Sequence, residues 1–433
     1  MNDNTQKENL PQGEFERFDM KALPVRTKWY LHPLTILLSL PDVIKHDAQI
    51  RKIRCEELKP PFVLLCNHNA FMDFKVATKA IWPWRANYVV AIDGFIGREK
   101  LLRDVGCICK RKFTNDVTLI RSLSQTIKNG DIAVIYPEAR YSLCGTTAVL
   151  PQSLGKLCKL LKVPVVTLIC HGHHVNSPFW NLHDRGVKPT ESEFTQLFTA
   201  EELAAAKAEE INAAILKAFQ YDDFAWQKER GIRTEYAGRA EGLHKVLYQC
   251  PACKKEYRMS SKGTKLFCTS CGKSWEMTPL GELKADNGDT EFSHIPDWYE
   301  WERENVRREV ADGTYSTGKL PVRVDSLPNA RKFIRLGEGE MVHDITGFSV
   351  RIKSDDGTEY SITLPVPSLY SCHIEYEYLG KYGDCVDLNT LDDTWYTYPH
   401  DCDFSVTKMA LATEELYYAY RRSIGKPCPE GFA

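Results

Sequence analysis

A chain of 433 residues, 43% hydrophobic and 26% charged, has the composition of a soluble globular protein and a length suited to about two to four domains. Its formal net charge of −2 excludes a global basic field for nucleic acid, and its 15 scattered cysteines exclude a disulfide scaffold. No run approaches the ~18 apolar residues that span a bilayer, and the N-terminus carries no signal-peptide core. The expected location is therefore cytoplasmic, at most peripheral on the inner face of a membrane.

Residues 1–20 are polar and acidic and are expected to be disordered. Lys21 to Asp42 joins Arg26, Lys28, Trp29 and Tyr30 to an apolar stretch, Leu34 to Leu40, which Pro41 should end. Such a segment makes either a monotopic membrane contact or an ordinary core helix. Residues 50–58 read as an edge strand. Phe62 to Cys66 reads as a buried strand running straight into Asn67-His68, with a helix following from Asp73 to Ile81. Further strands are expected at 87–92, 105–109, 132–136 and 163–170. Helices are expected at 118–129, where Leu119, Leu123 and Ile127 share a face, and at 154–161. Strands alternating with helices in this rhythm predict a mainly parallel sheet covered on both faces. Thr199-Ala200-Glu201-Glu202 has the pattern of a capping box and opens a helix expected to reach Phe219, followed by a piece from Tyr221 to Arg230.

Residues 248–276 form a separate module. Cys250 and Cys253 make one Cys-x-x-Cys pair and Cys268 and Cys271 another, with fourteen residues between the pairs. Two such knuckles complete a tetrahedral four-thiolate site for a structural Zn2+, closed to water and so not catalytic; a redox dithiol or free thiols are the alternatives. The module's lysines and Arg258 give a local basic bias that could meet nucleic acid, but the rest of the chain offers no basic stripe. A charged helix at 297–310 follows. Beyond about Leu320 short strands at 332–336, 347–352, 359–364, 374–378, 385–389 and 394–398 precede a helix at 407–420, an order that suggests a pleckstrin-homology-like domain.

Chemistry gathers at the strand ends of the first domain. A parallel sheet aligns its carboxyl ends on one rim, where ligands bind. His68, the cluster Lys110-Arg111-Lys112, Glu138 and Arg140 should then face one cleft. Asp73 lies five residues after His68, so the two meet only if the chain bends between strand and helix. A carboxylate on one ring nitrogen leaves the other free to take a proton. No Gly-x-Ser-x-Gly elbow is present, so a covalent acyl-enzyme is not indicated. His171, His173 and His174 sit in a presumed loop and read as solvated or structural rather than as metal ligands.

Four blocks now stand in order: Asn67-His68-x4-Asp73, Gly106 to Arg111, Tyr136-Pro137-Glu138-x-x-x-Ser142 and Val163-Pro164-Val165. Over residues 25–225 the chain resembles the glycerolipid acyltransferases, of the 1-acyl-sn-glycerol-3-phosphate acyltransferase type. The resemblance implies an α/β acyltransferase domain in which His68 is the general base and Asp73 orients it. A phosphate-bearing lipid acceptor would attack the thioester of acyl-CoA or acyl-carrier protein. Arg111, within one residue of the family's arginine, would hold the acceptor phosphate, with Lys112 sharing that role. Glu138 matches the third block's acidic residue, which is associated with acceptor binding. The chain departs from the family's Pro-Glu-Gly-Thr-Arg-Ser by reading Pro137-Glu138-Ala139-Arg140-Tyr141-Ser142, losing the glycine and moving or replacing the arginine.

The expected organisation is a disordered 1–20, an acyltransferase-like domain at 21–245, a zinc ribbon at 246–280, a linker with a charged helix at 281–318 and a β-rich domain with a closing helix at 319–433. The expected activity is O-acyl transfer in phospholipid biosynthesis. A non-catalytic lipid-binding or scaffolding protein on the same fold is the competing reading.

Overall fold

The computed structural model describes residues 16–380 and 382–428. Most of the segment expected to be disordered, residues 1–15, lies outside the described residues. Its last part is seated: Phe18 is buried against Phe95, and its N–H donates to the Pro328 carbonyl.

The first domain runs α1 (His32–Lys45), β1 (Gln49–Ile53), β2 (Val63–Cys66), α2 (Met72–Ile81), β3 (Ala86–Ala91), α3 (Glu99–Asp104), β4 (Ile108–Lys110), α4 (Val117–Lys128), β5 (Ile132–Ile135), α5 (Leu154–Leu161), β6 (Val165–His171), α6 (His173–Asn176), β7 (Glu191–Phe198), α7 (Ala200–Ala205), α8 (Ala208–Ala218) and α9 (Asp223–Arg230). Its strands form one sheet of order β1-β7-β6-β2-β5-β3-β4. The five strands from β6 to β4 run parallel; β7 opposes β6, and β1 runs with β7. Strand side chains alternate between faces, and β2 shows the consequence. Leu64 and Cys66 pack with Val76, Ala77 and Ala80 of α2 on one side. Val63 and Leu65 pack with Leu123 of α4, Leu154 and Cys158 of α5, and Ile211 and Ile215 of α8 on the other. Each such leucine, fully withdrawn from water, contributes ~1.5–3 kcal/mol, so β2 is clamped on both faces and its end is a rigid mount.

Several elements differ from the sequence expectation. α1 runs through Pro41 to Lys45 instead of stopping there. The proline removes the donor that the Leu37 carbonyl would have used, on a side of the helix where Leu37 is exposed. The long helix expected from Thr199 to Phe219 is two helices, because Ala206 adopts an extended φ/ψ between α7 and α8. The strand expected at 105–109 begins at Ile108 as β4, since Val105-Gly106 closes α3. Gly106 has φ 86°, and a Cβ there would fall 2.1 Å from Asn87 Nδ2 and 2.5 Å from the Val25 carbonyl.

The cysteine module carries β8 (Met259–Lys262), β9 (Lys265–Cys268), β10 (Ser274–Met277) and β11 (Leu283–Ala285) in one antiparallel sheet. After α10 (Ile295–Ala311) come β12 (Leu320–Ser326), β13 (Ile334–Asp344), β14 (Gly347–Lys353), β15 (Glu359–Pro365), β16 (His373–Glu375), β17 (Cys385–Asn389), β18 (Thr394–Pro399) and α11 (Val406–Ser423). These strands make an antiparallel sheet of order β15-β14-β13-β12-β18-β17-β16. Two meanders therefore meet at β12 and β18. β12, not separately assigned from sequence, is the central strand.

One apolar core runs through all these parts. It links Phe113, Leu143 and Phe179 of the first domain to Trp275 of β10, Trp298 of α10, Trp395 of β18 and Met409 of α11. A smaller cluster packs Ile92 and Phe95, just after β3, against Leu327 and Tyr396. The C-terminal sheet thus covers the loops that follow β3, β4 and β5. Among the described residues, no helix is long and apolar enough to cross a membrane.

Candidate active site

At the end of β2 the sheet hands over from backbone to side chain. Asn67 takes up the pairing that stops at Cys66: its Nδ2 donates to the Cys170 carbonyl at 2.9 Å, and its Oδ1 accepts from the Cys170 N–H at 2.8 Å. The next residue, His68, is held by its backbone. Its N–H donates to Glu138 Oε1 at 2.9 Å, and its carbonyl accepts from the Ser142 N–H at 2.8 Å. Its imidazole is free to point outward, with the side chain 24% exposed.

The chain bends, and Asp73 in the first turn of α2 comes back under the ring. His68 Nδ1 lies 3.2 Å from Asp73 Oδ2. The same oxygen accepts from the N–H groups of Asn69 at 2.6 Å and Ala70 at 2.9 Å. Asp73 is fully buried. Burial works against its charge, but hydrogen bonds from His173 and His68 prevail and hold the carboxyl at about 2. An ionised carboxylate only accepts, so Nδ1 of His68 donates to it and Nε2 is the ring nitrogen on the open side.

His173 was missed. It is buried rather than solvated, and its Nδ1 lies 2.5 Å from Asp73 Oδ1. Gly172 makes this possible. Its φ of 87° turns the chain from β6 into α6, and a Cβ there would stand 2.8 Å from the Trp226 ring. His174 is buried too, and burial lowers it to about 4. His171 stays partly exposed near Asp223.

Two tyrosines flank the imidazole. The rings of Tyr136 and Tyr141 lie 4.3 and 4.4 Å from His68, centroid to centroid. Tyr141, not Arg140, therefore stands against the histidine. Ala139, where the resembled family has glycine, has φ 56° and keeps the left-handed turn. A non-glycine residue pays ~1 kcal/mol or more for that conformation.

The remaining residues expected at the cleft are placed otherwise. Glu138 is buried beneath the His68 loop. It accepts from the His68 and Ala148 N–H groups, both at 2.9 Å, and from the Tyr221 hydroxyl at 3.2 Å. Burial lifts its carboxyl to about 8 against the pull of those donors. It anchors backbone and presents no open face to an acceptor. Arg111 is buried, and its guanidinium donates to the carbonyls of Leu327 (2.9 Å), Pro328 (3.1 Å) and Asp392 (3.0 Å) and to Thr394 Oγ1 (2.7 Å), all in the C-terminal sheet and its loops. Arg140 faces away from His68, donating to Glu414 Oε1 of α11 at 2.7 Å and to the Cys372 carbonyl at 3.3 Å. Lys112 lies among Asp93, Glu375 and Asp387. The structure thus brings His68, Asp73 and Glu138 together and directs the three cations to the C-terminal domain.

In the ribbon, Cys250 Sγ lies 3.8 Å from Cys271 Sγ, and Cys253 Sγ 3.8 Å from Cys268 Sγ. All four sulfurs fall within 4.8 Å of one another. A tetrahedral ion with ~2.3 Å bonds to sulfur has edges close to these separations, so the residues fit a four-thiolate site. Of the ribbon's basic side chains, Arg258, Lys265 and Lys273 are paired with Asp403, Asp286 and Glu291.

Residues 43–171 match the family model described as Acyltransferase, a stretch that includes His68, Asp73, Arg111 and Glu138. Among solved structures, the chain is similar to the 1-acyl-sn-glycerophosphate (LPA) acyltransferase PlsC from Thermotoga maritima. The identity is 13% and the TM-score 0.37, over 44% of this chain and 77% of that one. That likeness is too distant to bear on function. No curated protein matches the chain.

Proposed function

We propose that the protein is an O-acyltransferase that moves a fatty acyl group from acyl-CoA or acyl-carrier protein to the hydroxyl of a phosphate-bearing lipid such as 1-acyl-sn-glycerol-3-phosphate. The observation that carries this reading is the His68–Asp73 pair at the open end of β2, inside the segment that matches the acyltransferase family. Nε2 of His68 removes the acceptor proton as the oxygen attacks the thioester carbonyl. Asp73 holds the ring in the required tautomer and balances the imidazolium that forms. Collapse of the tetrahedral oxyanion expels the thiol, which takes the proton back from His68. The buried packing of β2 and the Glu138 and Ser142 bonds fix the backbone under the base. An acceptor phosphate would reach Arg111 only after the C-terminal carbonyls released it, so the reading rests on the acceptor's hydroxyl.

The surface beside the site favours a lipid interface. α1 exposes Leu37 at 61% and Leu38 at 66%, and Phe71, three residues from His68, is 63% exposed. Trp29 and Tyr30 flank the same helix and are exposed as well. An apolar face of this kind, rimmed by aromatic side chains, suits the interfacial layer of a membrane. The four ribbon cysteines are proposed to hold one structural Zn2+, measurable as metal content per chain.

The test is purified full-length protein with labelled acyl-CoA or acyl-carrier protein and a panel of lyso-lipid and glycerol-phosphate acceptors. His68→Ala is expected to lower turnover ~10²–10⁴-fold; unchanged transfer in that variant would sink the mechanism. The non-catalytic alternative has one specific observation in its favour, the engagement of Arg111, Lys112 and Arg140 by the C-terminal domain. It prevails if the wild type binds vesicles but acylates no acceptor.

A further inference from the structure

Where β16 and β17 meet the loops after β3 and β4, three carboxylates share a small volume with one ammonium and one imidazole. Asp93 comes from the turn after β3, Lys112 from the loop after β4, His373 and Glu375 from β16, and Asp387 from β17. Lys112 Nζ lies 3.5 Å from Asp93 Oδ2, 3.7 Å from Asp387 Oδ2 and 3.8 Å from Glu375 Oε1. Formed N–H···O bonds measure ~2.7–3.2 Å, so the ammonium sits between these oxygens without bonding any of them closely.

Asp387 is only 3% exposed, and its Oδ2 has no hydrogen-bond partner. That bare oxygen is aimed into the cluster, 3.8 Å from His373 Nε2. Nε2 in turn lies 2.8 Å from Glu375 Oε1. The donor atoms of His373, Glu375 and Asp387 all fall within 4.8 Å of one another, a spread that ligands of a single ion can adopt. A buried polar atom without a hydrogen-bond partner is unfavourable, and the Asp387 oxygen marks a position where a ligand would supply one.

We infer that this cluster binds one divalent first-row cation, with His373 Nε2, Glu375 and Asp387 as ligands. One imidazole with two carboxylates suits Mn2+ or Zn2+. Lys112 stands where the ion would lie and is displaced when it enters. His373 Nδ1, buried and without a partner, is free to carry the ring proton while Nε2 turns its lone pair to the ion. The site lies beyond Tyr141 from His68: the Phe179 ring packs on Tyr141 at 5.7 Å and on His373 at 6.4 Å. The ion would therefore join the two domains without touching the base, and the inference is independent of acyl transfer.

The experiment titrates full-length protein, desalted into metal-free buffer without chelator so that the four-cysteine site keeps its ion, with MnCl2 while free Mn2+ is followed by electron paramagnetic resonance. The four-thiolate site favours softer ions and takes little Mn2+. One Mn2+ per chain is expected, displaced by added Zn2+. Asp387→Asn and His373→Ala should each weaken binding about tenfold or more. Lys112→Met, which removes the competing ammonium, should tighten it. If neither the wild type nor Lys112→Met binds Mn2+, the site is overturned and Lys112 is simply the cluster's own counter-ion. Equal affinity in the wild type and a folded Asp387→Asn overturns it as well. Circular dichroism reports whether each variant folds; should Asp387→Asn and His373→Ala both fail, the comparison of Lys112→Met with the wild type decides alone.

Discussion

The carboxyl-end rim of the first sheet uses similar residue types in two opposite ways. Around His68, polar groups are spent on holding one imidazole still while leaving its outer nitrogen open. Asp73 accepts from two ring nitrogens and two N–H groups, and Glu138 accepts from the His68 backbone. Under the C-terminal sheet, Arg111 and Arg140 are spent on joining domains, and every acceptor they meet lies beyond residue 326. What separates the two uses is cover. A side chain left open at the rim can do chemistry, whereas one buried beneath another domain becomes a fastening.

That contrast can be broken from either side. Asp73→Asn should lower kcat ~10²–10⁴-fold, because an amide no longer enforces the tautomer that leaves Nε2 free; a variant with wild-type turnover would remove Asp73 from the mechanism. Arg140→Met should instead act on folding. It leaves Glu414 with Arg303 and Ser371 but one donor short in a buried network, at a cost of ~1–3 kcal/mol, read as a lower urea midpoint. A selective rise in KM for the acceptor with unchanged stability would return Arg140 to the cleft.

Acid unfolding sharpens the same comparison. The Asp73 carboxyl is held at about 2, below the ordinary 3.8. Its contribution, on the order of 2 kcal/mol, is complete above pH ~5 and is lost as pH falls toward ~2. Stability measured against pH should fall less steeply over that window in Asp73→Asn than in the wild type. The smallest effect belongs to the exposed helix. Leu37→Asp should weaken binding to anionic vesicles about tenfold, in line with the ~1.5–3 kcal/mol of one buried leucine. Acylation of a short-chain, water-soluble acceptor should be unchanged.

Much of the first domain was legible because its signals are local. β2 is a run of apolar residues that ends in polar ones, α5 falls on its expected residues, and Thr199 forms its capping box. β7 was invisible for a physical reason. Its inward positions are Ser192, Phe194 and Gln196, so a buried strand shows no apolar alternation. The His68–Asp73 pair spans five residues and could be anticipated as a bend. The bond from His173 to the same carboxylate spans 100 residues, and nothing local marks it. The positions of Arg111 and Arg140 could not be read for the same reason. A basic cluster at a strand end looks alike whether it meets a phosphate or another domain's carbonyls.

The fastening has a consequence for how the chain must be made. Arg111 finds its acceptors 216 to 283 residues later, and Arg140 meets Glu414 274 residues later. During synthesis from the N-terminus, the strand bearing His68 can be complete while both guanidinium groups still lack their partners. A chain cut after residue 245 would carry these cations permanently exposed, beside apolar surface that Trp395 and Met409 normally cover. The first domain is therefore finished only when α11 emerges.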